Sequence, residues 1–148
     1  MFTHILLPTD GSRTSKGAER AAIELARRFR ARITAVHVVA PASSVALEAW
    51  AHSNNRFGEH LEESFETRAV MRLEDLREIA LCAGVACDCE IARGEPQEQI
   101  LNAARRLGCD LIMMATHRKD ANERGLLESV SAKVAAASPV PVLVWQDR

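Results

Sequence analysis

His4-Ile5-Leu6-Leu7-Pro8-Thr9-Asp10-Gly11-Ser12 opens the first structural unit of the chain. A short apolar run ends in four residues that favour turns. The next stretch then keeps Ala18, Ala21, Ala22, Leu25, Ala26 and Phe29 at helical spacing. Strand, turn and helix in that order predict the start of a βαβ unit.

The same alternation continues outward from this unit. Arg32 to Val39 is rich in β-branched residues and stops at Pro41, which predicts a second strand. From Val45 to Ala83 the chain favours helix, with a break expected at Asn54-Asn55 and with Leu61, Phe65, Val70, Leu73, Leu76, Ile79 and Ala80 at helical spacing. Val85, Cys87, Cys89 and Ile91 alternate as a third strand, and Pro96 suits the first turn of a helix that carries Ile100, Ala103, Ala104 and Leu107. Leu111 to Met114 reads as a buried fourth strand, Ser129 to Ala137 as a helix, and Val140 to Trp145 as a fifth strand.

Strands alternating with helices predict an α/β fold. It is a single doubly wound, five-stranded parallel sheet of order 3-2-1-4-5 with helices on both faces, formed by one domain over residues 1–148. In that order the first and fourth strands meet where the winding reverses, so a ligand is expected at the loops Thr9–Ser12 and Thr116–Glu128.

Composition narrows the function. The 148 residues are 47% hydrophobic and 26% charged, which is ordinary for a folded domain. With 19 basic and 20 acidic residues the net charge is −1, so no global field draws the chain to nucleic acid or anionic lipid. The N-terminal stretch has no basic leader, and no apolar run reaches the ~20 residues of a membrane span. A cytoplasmic location is expected. Cys82, Cys87, Cys89 and Cys109 form neither a C-x-x-C pair nor a zinc doublet and read as small buried hydrophobes. The five histidines have no metal-ligand spacing, so no metal is expected.

Taken together, Ile5 to Ser12, Val36-His37-Val38-Val39, Gly94-Glu95-Pro96, Asp110 to His117, Ser129-Val130-Ser131 and Pro139 to Val144 resemble the universal stress protein family over essentially the whole chain. The resemblance implies the adenine-nucleotide alpha-hydrolase-like version of this fold. It also implies a nucleotide pocket at Thr9, Asp10, Val38, Ala115, Thr116, Arg118, Glu128, Ser129 and Val130, and a homodimer joined through Val140, Val142, Leu143, Val144 and Trp145 of the last strand.

ATP-binding members of that family carry G-x2-G-x9-G-(S/T) after the fourth strand, where glycines let backbone amides close on phosphates. Here the spacing survives, but the glycine positions hold Ala115, Arg118 and Glu128, and only the hydroxyl position is kept, as Ser129. Ala115 costs little space. Arg118 crowds a tight loop yet offers a guanidinium fork to a phosphate. Glu128 places a carboxylate where the phosphates would go, and two like charges about 4 Å apart repel by about 4 kcal/mol at an effective dielectric of about 20. A micromolar affinity amounts to about 8 kcal/mol, so that repulsion removes much of it.

Simpler roles compete at several of these positions. Asp10 and Ser12 stand where residues cap a helix, Ser129 does the same, and neither serine lies in G-x-S-x-G. His117 has no fixed partner, and Gly58 to Arg77 reads as the solvated face of a helix. No catalytic residue is assigned. The expected function is a stress-response dimer, open to protein partners, with an altered pocket that does not grip ATP. The alternative is an AMP or ATP switch in which Arg118 and lysines replace the glycine loop, and a third reading is a slow ATPase using Asp120 or Glu128.

Overall fold

A computed structural model describes residues 1–40, 55–116 and 130–146. Five parallel strands, β1 (His4–Pro8), β2 (Arg32–Val39), β3 (Cys87–Arg93), β4 (Leu111–Ala115) and β5 (Val142–Trp145), stand in the order β3-β2-β1-β4-β5. Among the described residues the helices are α1 (Arg13–Phe29), α2 (Asn55–Cys82), α3 (Pro96–Leu107) and α4 (Val130–Ala137). This is the order the sequence predicts.

Each strand feeds both faces of the sheet, because side chains alternate along it. Ile5, Leu7, Ile33, Ala35, Leu111 and Met113 pack with Ala22, Ala26, Leu73 and Leu76 of α1 and α2. On the other face Leu6, Val36, Ile112 and Met114 pack with Ile100, Leu101, Ala104 and Val134 of α3 and α4. Continuous apolar strands such as β1 are what two covered faces require.

Three sequence expectations need correction. Val85 lies outside β3. Its amide donates to Ala80 O (2.9 Å) and closes α2 through Gly84 at φ +77°, so its burial serves a helix end. Val140 lies outside β5, in a turn where its amide donates to Ser138 Oγ. Pro141 still serves the ladder, because its carbonyl accepts from Ile112 N at 3.0 Å and that bond needs no proline amide. On α2, Phe65, Val70 and Ile79 are exposed, and the buried stripe is Ala69, Leu73, Leu76 and Ala80.

The four thiols are free. Cys87 and Cys109 are buried as expected, whereas Cys82 is exposed at the end of α2. Burial pushes the Cys109 thiol up to about 11, which keeps it protonated and unreactive.

His4 is a buried polar residue whose Nε2 pairs with Thr34 Oγ1 at 2.8 Å. Burial first, then the positive charge of Arg32, hold its imidazole below the usual 6.5, against the opposing charges of Asp110 and Asp88. Between the depressed folded value and 6.5 the unfolded chain binds a proton that the folded chain refuses. The contribution of His4 is therefore complete above that window and is lost as pH falls through it. Urea unfolding at about pH 7.5 and about pH 5.5 is expected to show the native chain losing more stability than His4→Gln, and equal losses would contradict this account.

Candidate functional site

The β1–α1 turn is built by side chains that satisfy its own backbone. Ser12 caps α1 by accepting from Ser15 N (3.2 Å), and Asp10 Oδ1 accepts from Ser12 N (2.8 Å) and Ser15 Oγ (2.6 Å). Both residues therefore do the local work that helix starts ask of them. Thr9 Oγ1 accepts from Gly11 N and donates to Glu19 Oε1 at 2.5 Å. Burial raises the Glu19 carboxyl above its usual range, against the hydrogen bond from Thr9. His37 Nδ1 lies 3.1 Å from Thr9 O, and since a carbonyl only accepts, Nδ1 carries the proton.

Gly11 sits at φ +72°, where a side chain is strained, and a Cβ there would lie 2.6 Å from Arg72 Cδ. Gly11→Ala is expected to cost about 1–2 kcal/mol, mostly backbone strain because the arginine stem can shift. Thermal unfolding checks this, and an unchanged melting temperature would contradict it.

Beside this turn lies a cavity of about 420 Å3 at the carboxyl ends of β1, β2 and β4, within the range of about 300–1,000 Å3 usual for small-molecule sites. It lies where the strand order reverses. Thr9, Asp10, Val38, Ala115, Thr116 and Val130, six of the positions implied by the sequence, line it together. Arg118, Glu128 and Ser129 lie outside the described residues, as do His117, Lys119 and Asp120.

Several lining residues are not among the pocket positions that the sequence implies. Val36, Ile100 and Met114 supply apolar wall, Ser15 and Ser131 supply hydroxyls, and Pro8 and Pro96 complete it. Ser131 Oγ donates to Thr116 Oγ1 at 3.0 Å, tying the start of α4 to the end of β4. Ile100 belongs to an apolar helical face that reads simply as core, and Ser15 carried no signal beyond its place in the first turn of α1.

The described pocket wall therefore combines apolar surface, four hydroxyls from Thr9, Ser15, Thr116 and Ser131, and one carboxylate, Asp10. No lysine or arginine lines it among the described residues. Nor, among them, do three His, Cys, Asp or Glu side chains gather as a metal would need. No helix among them is long and apolar enough to cross a membrane.

A doubly wound parallel sheet with an apolar, hydroxyl-rimmed pocket at its switch point defines an α/β domain of the nucleotide-binding type. The chain belongs to the universal stress protein family, whose family model matches residues 1–146. It is 33% identical over 147 residues to a universal stress protein of Methanocaldococcus jannaschii, covering 97% of this chain and 82% of the relative. A crystal structure of a family protein from Burkholderia pseudomallei superposes with a TM-score of 0.76 at 26% identity, covering 97% of this chain and 95% of that one. A universal stress protein family structure from Arabidopsis thaliana with AMP bound shares the fold, with a TM-score of 0.70 at 17% identity over 99% of this chain and 92% of that one.

Proposed function

We propose that this chain is a homodimeric, cytoplasmic stress-response module whose pocket binds adenine nucleotide through base and ribose, taking AMP in preference to ATP. The observation that carries this is the described pocket wall. Val36, Val38, Ile100 and Met114 offer apolar contact for a base, and Asp10, held by Ser12 and Ser15, offers charge-assisted acceptance to ribose hydroxyls. With no cation on the described wall, the cations that the sequence offers for phosphate include Arg118 and Lys119 of the altered loop.

The loop sequence supports the same ordering of ligands. Glu128 stands in place of a phosphate-cradling glycine, and its repulsion grows with phosphate charge, so AMP suffers least. The AMP-bound relative of the same fold agrees with an adenylate as the ligand class. The working output is binding and association. Beside Asp120 and Glu128, the loop carboxylates that a slow ATPase would use, the described wall offers one acid or base, Asp10, and its Oδ1 is already engaged by Ser12 N and Ser15 Oγ.

Calorimetric titration with AMP, ADP and magnesium-ATP tests this reading. AMP is expected to bind in the micromolar range and ATP about tenfold or more weaker, with Glu128→Gly closing that gap. Tighter ATP than AMP binding by the native chain, or steady phosphate release, would overturn it.

The dimer rests on the contrast between the two sheet edges. On β3 the edge is charged, with Arg93 paired to Glu66 at 2.6 Å and Glu90 paired to Arg106. On β5, Leu143 and Val144 are exposed and apolar, and an apolar edge of this kind invites pairing with a second copy. Four free thiols suit a reducing compartment.

A further inference from the structure

Arg72 reaches from α2 to the turn that carries Asp10. Its Nη1 donates to Asp10 O at 3.2 Å across 62 residues of sequence, and its stem covers Gly11, with Cδ 2.6 Å and Nη1 2.9 Å from where a Cβ would stand. The preceding carbonyl, Thr9 O, accepts from His37 Nδ1 of β2 at 3.1 Å. Two successive carbonyls of the turn are thus held by side chains from two other elements. The Arg72 backbone is itself anchored, because the next residue, Leu73, is buried in the core against the sheet.

We propose that Arg72 is a positioning residue that couples α2 to occupancy of the pocket. A peptide group with both neighbours restrained presents the Asp10 carboxylate in one orientation, so a ligand gripping that carboxylate also favours the Arg72 contact. Coupling of this kind is reciprocal: what orders the turn orders α2, and what binds α2 alters affinity in the pocket. The ligand half of this inference rests on the adenylate reading above.

Arg72→Met keeps the stem over Gly11 and removes the donor, and Arg72→Lys returns a donor. Hydrogen exchange is read by mass spectrometry on peptides spanning residues 8–15 and 66–80, with and without saturating AMP, together with calorimetry. Arg72→Met is expected to speed exchange of the turn without ligand and to weaken AMP by about threefold to tenfold, the scale of one partly exposed charged hydrogen bond. AMP is expected to protect residues 66–80 in the native chain but not in Arg72→Met, with partial rescue in Arg72→Lys. A purely structural role would not move that ligand-dependent protection. Native affinity and unchanged turn exchange in Arg72→Met would overturn the proposal. If the native chain binds no AMP, the adenylate reading falls by itself, and the ligand-free exchange of the turn still decides whether Arg72 holds it.

Discussion

Asp10→Ala is expected to weaken AMP binding by about a hundredfold while the chain stays folded. A ribose presents two neighbouring hydroxyls, and each hydrogen bond to a charged acceptor contributes about 1.5–3 kcal/mol, so losing two removes about 3 kcal/mol or more. The same change releases Ser12 N and Ser15 Oγ, which both donate to Asp10 Oδ1, so the turn loosens as well. Asp10→Asn separates the two effects. It keeps an oxygen for Ser12 and Ser15 but lacks the charge, and about a tenfold loss is expected. Calorimetry on both variants, with circular dichroism to confirm folding, makes the comparison. Native affinity in Asp10→Ala would remove Asp10 from the site and with it the base-and-ribose mode of binding.

The strands were legible because a covered parallel sheet writes itself as apolar runs. Arg32 to Val39 is both the predicted second strand and the observed β2, since its end is marked by chemistry that cannot continue a ladder. Val85 and Val140 were misread for one reason: each is an apolar residue beside a strand whose amide is already used, by Ala80 O and by Ser138 Oγ. Periodicity records burial and not the destination of a hydrogen bond. The exposed Phe65 and Ile79 show the same limit, because helical spacing alone does not say which of two neighbouring stripes meets the sheet.

The candidate site was half legible. Its turn is local, so Thr9, Asp10 and Ser12 announce themselves within one stretch of sequence. Contributions from other elements are implied only through the family resemblance, as with Val38, Ala115, Thr116 and Val130, and several are not implied at all. Ile100 from α3, Met114 from β4 and Arg72 from α2 meet the turn only after the sheet has formed. Arg72 in particular sits in a charge run that reads as a solvated face, and it is indeed exposed. Its stem and one donor nevertheless lie against the turn, which spacing cannot reveal.

Val144→Lys is expected to convert the proposed homodimer to a monomer. In a two-fold arrangement β5 pairs antiparallel with its own copy, so every substitution appears twice across one short interface. Lysines facing each other across such an edge repel and must also leave apolar contacts, and an edge lysine is a common natural block to strand pairing. Val144 is 38% exposed in the single chain, so the folded monomer accommodates the longer side chain. Dissociation is expected to strengthen by about a hundredfold, equivalent to about 2.7 kcal/mol, with the melting temperature of the monomer little changed. Val144→Pro attacks the same edge differently, by removing a backbone donor that points away from β4, since the alternate residues Pro141 and Trp145 are the ones whose carbonyls accept from β4 and the residue after it. Sedimentation across micromolar concentrations reads both variants. If both remain dimeric, β5 is not the interface, and the charged β3 edge does not replace it, because Glu90 and Arg93 are already engaged with Arg106 and Glu66. The interface would then lie on a helical face. If both become monomeric and still bind AMP with native affinity, association and nucleotide binding are separate properties of the fold.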